Sequence, residues 1–455
     1  MKLRHPARRL AALALSLLLL ALLPTAFAGG ETVPAGEGQA PREGDVARLD
    51  PAGTTFETVQ AAIDAAETIG GTVCLLQDVE ECITIDTGSV TLDLNGHTLS
   101  FHSGPTAQAT IHVTGGDLTI EDTVGSGTVS TSEENKPALR IAGGSVTLES
   151  GTILGNDGSG TVVNIEGSSP SLTVNGGTIR SEAKRGGNVG MVQIAEGCTL
   201  NLDGGELSSR YLHAIRNNGG GTVTMTGGSV TVGGSGAYAL DNYGTAVISG
   251  GTLTNPDFDT AVRAVADSSG AISTTTLSGS VICKGNIYVN GTNANIAKLK
   301  ILSGTIDGSV DVESYSEVTL SGGIYSQKPD DDYLAGDALV ILADSQFHVG
   351  KDAEKRISSA QSGETLEVVH GKEVTGVPAG VTVENKTGAP ITVNGETVPK
   401  DGETTIPAPE QPSEPSNPSF TEPTYYPDYD EDEDSLPPVD EEAPEEARDL
   451  YMVTC

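Results

Sequence analysis

The stretch "TLNLDGGELSS" at residues 199–209 carries a pattern that the chain repeats: apolar and polar residues alternate, two glycines interrupt, and the alternation resumes. "SLTVNGGTIRS" at 171–181 and "TVTMTGGSVTV" at 222–232 follow the same rule. Alternation with period two sends one set of side chains to a core and the other to solvent, as in a half-buried β-strand. A Gly-Gly pair between two such runs makes a sharp corner, because glycine enters positive φ without steric cost and lets backbones approach closely.

With the second apolar residue of each phrase as anchor, the series runs Leu94, Ile120, Leu148, Val174, Leu202, Met225, Ile248, Leu277, Leu302, Leu320. The anchors recur at separations mostly in the twenties, the signature of stacked units none of which buries its apolar face alone. A second short strand follows each corner, with Ile179, Leu207, Val230, Leu253, Ile306 and Ile324 as its inward residues. A third aligns through "ALRI" at 138, "VVNI" at 162, "MVQI" at 191, "AIRN" at 214, "ALDN" at 239 and "AVRA" at 261. Three strands per repeat predict an all-β, parallel β-helix of about ten coils and about 45–50 Å length. A leucine-rich repeat would need a returning helix, and no helical periodicity lies between the anchors.

Open ends of such a coil need covers. Upstream, Thr54 and Glu57 read as a capping box, Phe56, Val59, Ile63 and Ala66 as one apolar stripe, and Gly70-Gly71 as the stop of a capping helix. The expected division is a flexible segment over 29–50, an N-terminal cap over 51–84, the β-helix over 85–326, and a C-terminal cap with a small β segment over 327–399. Within the last, "GVTVENKTGAPITVNGETV" reads as a hairpin. From Lys400 to Cys455 stand 17 acidic residues against two basic ones, among many prolines. Residues 400–447 therefore read as a disordered acidic linker, and 448–455 as the start of a further module.

Four basic residues, Lys2, Arg4, Arg8 and Arg9, precede an apolar run from Leu10 to Leu23 that leads to Ala26-Phe27-Ala28. These are the parts of a signal peptide over 1–28, too short for a spanning helix, so a secreted or cell-surface location is expected. No later run is long enough to insert the mature chain in a membrane. The formal charge of −37 argues against nucleic acid as a partner. Five sparse cysteines do not make a disulfide scaffold; Cys74 and Cys82 either bridge across the turn between them or serve as small apolar fillers. No metal or cofactor site is expected, and the rod is expected to be a monomer.

The segments "FETVQAAIDAAETIGGTVCLL" and "VTLDLNGHTLSF", with the repeated "LTVNGGTI" phrase, resemble the right-handed parallel β-helix proteins of the pectin-lyase-like superfamily. More narrowly, they resemble large secreted β-helix proteins of gut Firmicutes. The resemblance covers roughly residues 51–350 and implies the fold, including a right-handed winding of the β-helix; the superfamily holds both polysaccharide-cleaving enzymes and binding-only proteins. None of the four polygalacturonase-type motifs is present. His97 in "NGHT" reads as a turn residue, Asp330-Asp331-Asp332 as a solvated loop, and "GNDGSG" at 155–160 as a single copy of a calcium-loop phrase that works by repetition.

The third strands supply the candidate site. Their alignment places Arg140, Asn164, Gln193, Arg216, Asp241 and Arg263 in one outward row, with Asn217 and Asn242 turned inward as a short ladder. Ala138, Ala214, Ala239 and Ala261 would lay flat ground beside the row for an extended glycan, with arginines reaching acidic sugars. Mutual ion pairing around Asp241 accounts for the row equally well. Tyr211, Tyr238 and Tyr243 are the plausible sugar platform. A second outward row of Thr119, Thr147, Thr173, Asn201, Thr224, Thr276 and Thr319 suits an exposed sheet and needs no ligand. The first functional reading is an exported, non-catalytic, adhesin-like protein contacting polysaccharide or host-surface glycan. The alternatives are a polysaccharide lyase or glycoside hydrolase, and a structural spacer.

Overall fold

The computed structural model describes residues 42–409, apart from 105, 134, 157, 159, 257–258 and 267–271. The chain winds into a parallel β-solenoid of about nine turns. Each turn gives one short strand to each of three sheets. Ser171–Val174, Thr178–Ser181 and Gly190–Ile194 make one turn, and Thr199–Leu202, Glu206–Ser209 and His213–Asn217 make the next. All solenoid strands pair in parallel. Leu172, Leu200 and Val223 stack in the first sheet, Ile179, Leu207 and Val230 in the second, and Val163, Val192 and Ile215 in the third. These inward residues are fully buried, so one continuous aliphatic core runs through the coils.

The two glycines of the corner have different jobs. A Cβ on Gly204 would lie 2.1 Å from the Asn175 carbonyl oxygen of the preceding coil, so the first glycine is required by close approach. Gly205 sits at φ +73°, where a side chain is strained whatever the space.

The register corrects two anchors and one second-strand residue. Leu92, not Leu94, stacks on Ile120; Leu94 is buried one step further on, at the corner. Ile301, not Leu302, stacks between Leu277 and Leu320, leaving Leu302 exposed. Tyr325, not Ile324, follows Ile306 and is buried with its hydroxyl donating to the Gly322 carbonyl at 2.9 Å. For Leu302 and Ile324 an adjacent apolar residue obscures the alternation, whereas at Leu94 the alternation simply runs one pair further toward the corner.

The N-terminal cover is more elaborate than one helix. Ala47–Asp50 and Thr54–Phe56 are strands, although the sequence suggested a flexible segment and a helix start there. Ala47–Asp50 runs antiparallel to Thr72–Leu75, the first strand of the solenoid wall. Helix α1 (Val59–Ile69) begins at Thr58, whose hydroxyl accepts from Ala61 N, and ends at Gly70. The Glu81 carboxylate also takes the amides of Val59 and Gln60, at 2.8 and 2.9 Å. Val59, Ala62, Ile63 and Ala66 close the core.

At the other end Gly322–Tyr325 of the second sheet pairs antiparallel with Gln346–Gly350, and the sheet continues through Val340–Ala343, Thr365–His370 and Thr382–Asn385. Helix α2 (Lys351–Ser358) follows, burying Ala353 and Ile357 against a second small core that includes Ile341, Leu366 and Val383. The expected hairpin is only Ile391–Val393 with Glu396–Val398; Thr382–Asn385 belongs to the larger sheet. Glu403–Thr405, read from sequence as linker, pairs with Thr382–Asn385. The expected signal peptide, most of the linker and the terminal segment lie outside the described residues.

No bridge joins Cys74 and Cys82; all four described cysteines are free. Cys74 lies in the first sheet, its Sγ 3.4 Å from Asp50 Oδ2, and burial together with that carboxylate pushes its thiol up to about 12. Cys82 lies near the second sheet, with Sγ 3.2 Å from the His102 carbonyl. Cys74 thus stands on the first-sheet wall, and Cys82 in the connection between the second-sheet strand Val79–Glu80 and the third-sheet strand Ile83–Ile85.

Candidate functional site

In the third sheet Arg140, Asn164, Gln193, Arg216, Asp241 and Arg263 are successive register partners, one per coil. His112 precedes Arg140 and Tyr288 follows Arg263. The row is not a uniform surface. It divides into two ion-pair groups, and the four alanines beside it are buried and form no open ground.

The first group is built on Arg140. Its guanidinium binds the Glu166 carboxylate, with Nε at 2.8 Å, and Nη1 donates to Gln108 Oε1 at 2.8 Å. Asn164 Nδ2 holds the other Glu166 oxygen at 2.7 Å. Burial raises the Glu166 carboxyl, but the hydrogen bonds from Arg140 and Asn164 and the arginine charge together prevail and hold it below its usual range.

The second group is denser. Asp241 is completely buried although its column faces outward, because its neighbours fold over it. Arg263 Nε donates to Asp241 Oδ1 at 2.8 Å, Arg216 Nη1 stands 3.5 Å from Oδ2, and His213 Nε2 stands 3.8 Å from Oδ2. Oδ2 itself has no hydrogen-bond partner among the described residues. Burial opposes the Arg263 charge, yet the hydrogen bond and charge of Asp241 hold its pKa above the ordinary arginine value.

Aromatic rings frame this ion pair. The Arg263 guanidinium lies 4.9 Å from the Tyr238 ring centre and 5.3 Å from that of Tyr243, and it donates to the Tyr243 hydroxyl. Arg216 lies 5.1 Å from the Tyr243 ring, with Nη1 fixed on Asn188 Oδ1 at 2.7 Å. Such cation–aromatic contacts are attractive and help hold the guanidinium planes in place. Asp259, close enough to act on Tyr238, directs its oxygens to the amides of Gly236 and Thr260. Two guanidiniums therefore share one buried carboxylate. Tyr211 stands apart from this grouping, with Arg210 at 5.1 Å over its ring.

His213 is the residue that sequence reasoning missed. It stacks on Tyr238 with ring centres 4.8 Å apart and planes 7° from parallel, and its Nδ1 accepts from the Tyr238 amide at 3.2 Å. Nδ1 is thus unprotonated. Burial first, then Arg216 and Arg263, push the imidazole below the usual histidine range, with Asp241 opposing. The available signal was its position next to Ala214, in register with Tyr238 on the following coil.

Behind the cluster, Asn217 and Asn242 are fully buried and form the inward ladder. Asn217 Nδ2 donates to Asn242 Oδ1 at 2.8 Å, and Asn242 Nδ2 donates to Thr275 Oγ1 at 2.9 Å. The amide nitrogens of the ladder are paired, while Asn217 Oδ1 is buried without a partner among the described residues. Such bonds in an aliphatic core favour one register, since a shift of one residue would break them. The threonine row also stacks one per coil on the first sheet, with Val247 and Lys300 completing it. His97 sits in a turn, its amide donating to the Leu94 carbonyl at 2.8 Å. Asp331 and Asp332 belong to an exposed single-turn helix, while "GNDGSG" lies partly outside the described residues. Among the described residues no group of three or more histidine, cysteine or carboxylate side chains is arranged to hold a metal. No protein-family model, curated protein or solved structure matches the chain.

Proposed function

We propose that the chain is an exported, non-catalytic β-helical protein, adhesin-like, that contacts an extended acidic glycan through the Arg216–Asp241–Arg263 face. Its export is proposed on the N-terminal pattern of basic residues, apolar run and Ala-Phe-Ala. A relationship to the pectin-lyase-like proteins of gut Firmicutes is part of the same proposal.

The observation that carries the reading is the arrangement of two guanidiniums and two tyrosine rings around one carboxylate. Planar donors locked against rings lose little entropy when they meet a carboxylate-bearing sugar, and rings supply apolar contact for its face. With Asp241 serving both arginines, the pair of guanidiniums retains one uncompensated positive charge, which favours acidic over neutral sugars in a chain that is otherwise strongly acidic.

Titrating the full chain with polygalacturonate, sialylated mucin glycans and neutral glucans tests this. Acidic glycans are expected to bind, and Arg216→Ala and Tyr243→Ala to weaken them by about tenfold or more, equivalent to about 1.4 kcal/mol. Circular dichroism of both variants should match the parent. No unsaturated products or reducing ends should form, with or without calcium. Cleavage abolished by replacing a carboxylate would establish an enzyme instead, and no retention of any glycan would leave a spacer.

A further inference from the structure

Among the described residues, the solenoid closes one end of its third sheet and leaves the other open. At the first strand, Ile83–Ile85, helix α1 supplies side chains in place of a neighbouring strand. Gln60 Oε1 accepts from Thr84 N at 2.7 Å, Gln60 Nε2 donates to Thr84 O at 2.9 Å, and Glu67 Oε1 accepts from Asp86 N at 2.8 Å. At the far end the last strand, Val310–Val312, pairs among the described residues only with Asn286–Asn290. The second sheet meanwhile continues into the cap, and the first ends against the Leu320–Leu334 bridge.

The orientation of the free edge follows from the bonds already made. Ser309 O accepts from Ile287 N and Glu313 N donates to Val289 O, both at 2.8 Å. In a parallel strand the backbone groups of alternate residues face opposite neighbours. The N–H and C=O of Val310 and Val312 therefore point away from the solenoid. Beside them lies a cleft of about 390 Å³, lined by Gly308, Ser309, Val310, Tyr325 and the loop Gln327–Asp331. The strand and its facing loop carry Asp311, Glu313, Asp330, Asp331 and Asp332, all exposed, against Lys328, which is held by Asp331 at 3.0 Å. His370 Nδ1 also faces Asp331, at 3.6 Å.

We infer that this edge is a docking site for a basic extended peptide segment of another protein, which adds as a further strand beside Val310–Val312. Main-chain hydrogen bonds to Val310 and Val312 supply the pairing, and the cleft receives one side chain of the incoming strand. The charge of the rim selects lysine- or arginine-bearing strands and disfavours a second copy of this acidic edge.

A short fluorescein-labelled peptide alternating lysine and valine, and its glutamate–valine counterpart, are titrated into the full chain and followed by fluorescence anisotropy. The basic peptide is expected to bind and the acidic one not. Val312→Pro removes a donor that faces only the free edge, a position where proline is tolerated, and should weaken the basic peptide by about tenfold or more with circular dichroism unchanged. The double replacement Asp330→Asn, Asp331→Asn should weaken it as well. Basic peptide that binds Val312→Pro as tightly as the parent would overturn the proposal by showing general attraction to an acidic chain. A peptide-free dimer by sedimentation that Val312→Pro converts to monomer would also overturn it, assigning the edge to a second copy.

Discussion

Asp241 shows how one residue changes the meaning of its column. Strand alternation aims it outward, yet it is completely buried beneath Arg216, Arg263, His213 and Tyr238. A lone buried carboxylate would be costly to desolvate, and the two arginines offset that cost. The same field sets the charge of His213, whose imidazole is held below its ordinary range by burial and by the arginines. His112 and His348 are lowered too, each by burial and a nearby arginine. The folded chain thus resists protons that the unfolded chain accepts below about pH 6.5. Stability contributed by these neutral histidines is full above that value and falls as the pH drops from about 6.5 toward 5, by at most about 1.4 kcal/mol per pH unit for each histidine. Denaturant unfolding of the parent and His213→Gln across pH 5–7.5 checks this. The variant should show a shallower decline, and an identical slope would mean that His213 is charged in the fold.

At the scale of the element, the corner is the unit that repeats. Gly204→Ala would drive a methyl group into the Asn175 carbonyl of the preceding coil and should cost more than about 1 kcal/mol, measured as a lower denaturant midpoint. A neutral outcome would mean that the coils are more loosely stacked. Most of this architecture is legible in the sequence because period-two alternation and Gly-Gly punctuation are local. The third-strand alignment was readable from "ALRI" to "AVRA", and the inward pair Asn217 and Asn242 stood out as polar residues at lining positions. The failures have physical causes. Leu302 and Ile324 follow or precede another apolar residue, so local alternation cannot decide which one lines the core. Ala47–Asp50 and Glu403–Thr405 are strands only because distant partners pair with them. The burial of Asp241 depends on side chains from neighbouring coils, and so does the recruitment of His213.

For the whole molecule, the solenoid makes the sequence interval between coils almost irrelevant to their spacing. Intervals differ from coil to coil because the additional residues leave as loops, while every strand advances along the axis by one parallel spacing. That regularity positions Arg216, Asp241 and Arg263 beside one another, and it leaves the third sheet with one sealed and one open end. It also gives the most direct test. Thr119 and Thr276 lie in one first-sheet column, six register steps apart through Thr147, Thr173, Asn201, Thr224 and Val247. With the native cysteines replaced, spin labels at Thr119→Cys and Thr276→Cys should give a narrow double electron–electron resonance distribution near 29 Å, from about 4.8 Å per step. A broad distribution, or a peak displaced by more than the reach of the labels, would contradict a continuous column and the site built on it.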